Sequence, residues 1–131
     1  MAISPKVDAD KVAAGLSLWA QHHGPVSLAA VVLLIQYGWH RDPMFRQVMC
    51  APESEPDWCA IRWEQARDAF DRGKFADEAG GSHAHAALDF ALALGEDRYE
   101  LASQAPAAAQ NMMAAFCTAI GVVPTSFTRL R

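Results

Sequence analysis

From Val12 to His40, and again from Leu101 to Thr128, the chain contains no Asp, Glu, Lys or Arg. A helix on the surface of a monomer ordinarily carries charges along its outer face, so two long uncharged spans restrict where these segments can sit. A membrane crossing needs about 20 consecutive apolar residues. The most apolar run begins the stretch SLAAVVLLIQYGWHRDP, Ser27 to Pro43, and is roughly half that length; Gln21, His22, His23, Gly24 and Pro25 interrupt it upstream. Ser103, Gln104, Gln110 and Asn111 break up the second span. No membrane association is therefore expected. The uncharged helices belong at the centre of a helical bundle or at a seam between subunits, and seams between identical chains are poor in charge.

Alanine, the strongest helix former, accounts for 26 of the 131 residues and is spread along the whole chain. This composition predicts an all-α fold, a compact single-domain bundle of five or six helices over residues 1–131, with loose ends at about 1–7 and 122–131. Glycine, proline and capping residues divide the chain. A first helix from Asp8 to His23 places Val12, Leu16 and Trp19 on one face, and Gly24-Pro25 stops it. Ser27 caps a second, Leu28 to Tyr37, closed by Gly38; its Val and Ile content makes a buried strand the competing reading. Asp42 and Pro43 open a short helix with Met44, Phe45, Val48 and Met49 inward.

Ser54 and Asp57 resemble a capping box opening a helix from Glu55 to Arg72. There Cys59, Trp63, Ala66 and Phe70 form the apolar stripe, widened by Trp58 and Ile61, opposite Glu64, Arg67, Asp68, Asp71 and Arg72. Ser82 caps a helix to Leu94, a short helix covers Glu96 to Gln104, and Pro106 starts a last one, Ala107 to Ile120, with Met113, Phe116, Cys117 and Ile120 as its stripe.

The net charge is −4 and the isoelectric point is near 5.6, so the electrostatic footprint of a nucleic-acid-binding protein is missing and no nucleic-acid partner is expected. Cys50, Cys59 and Cys117 form no C-x-x-C pair, and no basic-then-apolar leader opens the sequence. The expectation is a cytoplasmic protein with reduced thiols and no cofactor.

Few residues suggest chemistry. His83 and His85 follow Gly80-Gly81 at a helix start, where exposed backbone amides favour anions. Residues two apart on a helix do not share a face, so only an extended segment lets both imidazoles hold one ion. His22 and His23 suit the negative end of the first helix dipole. The spacing of Cys50 and Cys59, with His40 nearby, fits no zinc pattern, and no metal site is expected. G-x-S-x-G, Walker and H-E-x-x-H signatures are absent. Trp39 stands apart from the other tryptophans: it follows a helix-stopping glycine and adjoins His40, Arg41 and Asp42. This arrangement suits either a partner hot spot or a contact that pins the loop onto the bundle.

Leu34, Ile35, Gly38 and Trp39 at the end of a helix, then Cys59-Ala60-Ile61 and a later Ala/Leu-rich helix, together resemble a group of small actinobacterial proteins without an assigned function. The resemblance covers about half of the chain, and the Trp-Asn-Asp triplet expected in the later part is absent. It implies a compact helical domain and no activity.

Two functional expectations follow. The first is a non-enzymatic interaction protein, an accessory, adaptor or inhibitor of the kind bacterial or phage accessory genes encode, binding another protein and forming a homodimer through its uncharged helices. The second is a small helical enzyme or ligand-binding domain with a Trp/Met-lined pocket. Trp39, His40, Arg41, Asp42, His83 and His85 are the candidate partner- or ligand-binding residues in either case.

Overall fold

The structure is a computed structural model that describes residues 2–51, 58–75, 81–97 and 106–121. It falls into two units, Met1–Tyr99 and Glu100–Arg131. The all-α expectation holds: the described residues form five α-helices and one two-stranded ladder.

In the first unit, α1 (Ala9–His23) buries Val12, Leu16 and Trp19, the face its spacing predicts. Gly24, at φ 102°, breaks the chain in a conformation that only glycine adopts easily. Helix α2 (Pro25–Gln36) then starts earlier than expected. Pro25 occupies its first turn, where a missing N–H costs nothing, and Ser27 lies inside the helix instead of capping it. The competing strand reading for this segment is excluded. Gly38, left-handed at φ 79°, ends this stretch and leads into a single 3-10 turn, Trp39–Arg41.

The segment after Asp42 is also a 3-10 turn, Phe45–Val48, and not an α-helix. Phe45, Val48 and Met49 point inward as expected, whereas Met44 is exposed. The chain then extends into β1 (Met49–Cys50), which pairs antiparallel with β2 (Ala60–Ile61) in the register Met49 to Ile61 and Cys50 to Ala60.

This ladder corrects the expected helix from Glu55 to Arg72. From Trp58 to Arg62 the burial alternates residue by residue, with Cys59 and Ile61 inside, which is the period of a strand. The backbone N–H of Arg62 donates to the Val48 carbonyl at 2.9 Å, and only then does α3 (Trp63–Asp71) begin. The predicted capping box at Ser54 and Asp57 lies outside the described residues.

Gly73, at φ 71°, closes α3, with its N–H on the Phe70 carbonyl and that of Lys74 on the Ala69 carbonyl. Helix α4 (Gly81–Gly95) includes Ser82 in its first turn. The helix expected from Glu96 does not start there. The Glu96 and Asp97 amides complete α4 by donating to Leu92 and Leu94, and Asp97 turns left-handed at φ 53°. The rest of that expected helix lies outside the described residues.

Helix α2 packs between α1 and α4, and α3 packs on α4. Leu16, Leu34, Leu88 and Leu92 belong to one hydrophobic core and are fully buried, each contributing about 2 kcal/mol over an exposed position. Residues 2–7, expected to be loose, are tied down instead: Ala2 bridges to Cys50, Ile3 enters the core, and the Ile3 amide donates to the Arg46 carbonyl at 3.2 Å.

In the second unit, α5 (Pro106–Ile120) starts on proline as predicted. Of its expected apolar stripe, Cys117 is buried, while Met113 and Phe116 are 48% and 47% exposed. The expected loose end, 122–131, lies outside the described residues.

Candidate functional site

The segment Trp39–Asp42, which carries four of the six candidate residues, is anchored in the core through Trp39 and His40. Trp39 is 4% exposed, and its indole Nε1–H donates to the Ala84 carbonyl of α4 at 3.0 Å. Its ring meets Phe45 and Phe75 at centroid distances of 6.1 and 6.2 Å, and those two rings meet each other at 5.4 Å. Trp39 therefore pins its loop onto α4, the second of the two roles its sequence context suggests. Asp42 acts locally, its Oδ1 accepting the Met44 and Phe45 amides at 2.9 and 3.0 Å. Arg41 is exposed.

His40 is enclosed, also 4% exposed, and its Nδ1 has no hydrogen-bond partner. Burial holds the imidazole below its ordinary pKa, the Arg41 and Arg46 cations push it further down, and Asp10 on α1 opposes them. The neutral ring is thus the form this site accepts.

Arg46 is the residue sequence reading missed. It is buried, and its hydrogen bonds run to carbonyls: Nε to His40 at 2.9 Å, and Nη1 to Ser4 at 2.8 Å and Val7 at 2.7 Å. A buried cation needs such partners to offset its desolvation. No signal in the sequence sets it apart from Gln47, its exposed neighbour in the same turn.

His83 and His85 sit two apart in the first turns of α4, so the extended geometry needed for a shared ion does not arise. His83 is exposed. The His85 ring stacks on Phe70 of α3, with centroids 4.6 Å apart and 25° between planes. Arg67 also lies over that phenyl ring, its guanidinium carbon 5.3 Å from the centroid. Nε and Nη1 of Arg67 bond to Glu96 at 2.8 Å and Asp89 at 2.7 Å. Burial alone would lower the Arg67 pKa, but the hydrogen bonds to Glu96 and Asp89 outweigh it and raise it. The arrangement fastens α3 to two levels of α4.

The tryptophans outside this turn form a second aromatic region at the end of α1. The His22 ring lies 4.7 Å from Trp58, and Trp19 lies 4.7 Å from His23 and 6.1 Å from Trp63. Both histidines donate Nδ1–H to the carbonyls of Leu18 and Trp19 at 3.0 Å, which satisfies groups left open at the helix end.

Cys50, Cys59 and Cys117 are free thiols. Burial pushes the Cys59 thiol up, against the pull of Arg46, which makes it a poor nucleophile. Among the described residues no group of three His, Cys, Asp or Glu side chains is placed to hold a metal ion, and no helix is long and apolar enough to cross a membrane.

The exposed helix faces differ in charge. The exposed face of α3 is charged, with Glu64, Asp68, Asp71 and Arg72. Helix α5 has no charged residue over its 15 positions and exposes Met112, Met113 and Phe116. No protein-family model matches this chain, and neither the curated proteins nor the solved structures contain a match to it.

Proposed function

We propose that this chain is a small helical interaction protein that works by binding another protein chain, with α5 as the binding element and a second copy of the same chain as the first partner to test. The observation that carries this reading is the uncharged exposed face of Met112, Met113 and Phe116. Methionine is flexible and polarisable and recurs on surfaces that accept helical or apolar partners. An aromatic beside it supplies the kind of anchor that dominates binding energy.

The alternative, a small enzyme or ligand-binding domain, draws support from the Trp39–Ala84 hydrogen bond, which brings the His40 turn next to the α4 residues flanking His83. Those groups differ in access, however: His40 is enclosed, while Arg41 and His83 are exposed. A shared ligand pocket asks for convergence on one cavity, so the interaction reading is preferred.

The test is Met113→Glu in the full chain, followed by light scattering over a range of concentrations and by affinity capture from native lysate. The expected result is an assembly, homomeric or with one near-stoichiometric partner, that the substitution dissolves while helix content stays unchanged. A wild-type protein that is monomeric at high concentration and retains no partner overturns the reading.

A further inference from the structure

We propose that residues 2–7 form a strap over the Trp39–Cys50 segment, and that protonation of His40 releases it. Four contacts hold the strap: the Ala2 bridge to Cys50, the Ile3 amide on the Arg46 carbonyl, and the Ser4 and Val7 carbonyls on Arg46 Nη1. Three of the four run through Arg46. The remaining bond from that guanidinium, Nε, ends on the backbone carbonyl of His40. The strap and the His40 turn are therefore two ends of one latch.

His40 is the member of this latch whose charge can change near neutral pH. The charged groups that face it are Arg41 in its own turn, Arg46 from the following turn and Asp10 from α1, two cations against one carboxylate. Its Nδ1 is enclosed without a partner. A proton on the ring creates an imidazolium with no acceptor for its enclosed Nδ1–H, in the field of the Arg41 and Arg46 cations. Displacement of the Trp39–Arg41 turn relieves this by opening Nδ1 to solvent. That movement shifts the His40 carbonyl away from Arg46 Nε and loosens the guanidinium that holds Ser4 and Val7. Release bares the outer edge of β1 at Cys50, an unpaired strand edge that can accept another extended segment.

The experiment is an NMR titration of the isotopically labelled full chain, following the His40 imidazole together with the Ile3 amide and its hydrogen exchange, corrected for the intrinsic pH dependence of exchange. The expected result is that Ile3 loses protection along the same curve on which His40 gains its proton, and that His40→Gln abolishes this transition. Arg41→Gln, a change at an exposed residue, keeps the test decisive if His40→Gln fails to fold. Removing that cation moves the His40 and Ile3 midpoints upward together. Protection at Ile3 that stays constant through the His40 titration, or an Ile3 midpoint that ignores Arg41→Gln, overturns the proposal.

Discussion

The indole of Trp63, at the start of α3, occupies the space where any side chain on Gly95, at the end of α4, would stand. Both helix ends are fixed by this approach. Gly95→Ala places a methyl group against the fused ring atoms, and the rigid indole cannot swing a flexible end aside. The expected cost is about 1–3 kcal/mol, read as a lower urea midpoint with an unchanged slope. A variant as stable as the parent would show that Trp63 sits elsewhere.

Trp39→Phe keeps an aromatic ring beside Phe45 and Phe75 but deletes the bond to the Ala84 carbonyl and leaves a void. The expected destabilisation is about 1–3 kcal/mol, with the fluorescence of the remaining tryptophans reporting the unfolding transition. If Trp39 were instead a surface contact for a partner, the change would leave stability within about 0.5 kcal/mol.

Stability should depend on pH through His40. Its folded-state pKa lies below the unfolded value of 6.5, so the unfolded chain takes up the proton first as pH falls. The contribution of the neutral ring is fully present above 6.5 and is lost as pH drops below that value toward the lowered folded-state pKa. Urea midpoints measured from pH 7.5 downward should fall in this window for the wild type and flatten for His40→Gln. An identical pH profile in the two proteins would remove His40 as the cause.

The two carboxylates on Arg67 should not be equivalent. Glu96 has 23% of its side chain exposed and Asp89 has 54%, so solvent screens the second pair more. Double-mutant cycles with Arg67→Met should give a coupling of about 0.5 kcal/mol with Asp89→Asn and a larger, less salt-sensitive one with Glu96→Gln. Equal couplings would mean that both pairs behave as exposed surface contacts.

The candidate site was legible in parts. The peculiarity of GWHRDP, from Gly38 to Pro43, was visible because a glycine stop, an aromatic and a capping aspartate are local signals. That Trp39 faces inward was not, because its partner Ala84 is far along the chain. Arg46 shows the same limit: nothing in its immediate neighbours specifies the carbonyls of Ser4 and Val7, which reach it from the other end of the unit.

By itself the sequence determined the all-α class, the positions of α1 and α5, and the stops at Gly24 and Gly38, since helix propensity and left-handed glycine act over a few residues. Only the tertiary structure decided that Ala60 and Ile61 form a strand. Their apolar residues fit a helical stripe equally well until Met49 and Cys50 supply a ladder, and pairing across the loop outweighs local propensity. It also decided which members of the uncharged spans are covered: Ala30, Val31 and Leu34 of α2 are buried, while Leu18, Val32 and Tyr37, like Met112, Met113 and Phe116 on α5, remain exposed. Periodicity defines a face, but only packing partners decide whether that face is buried.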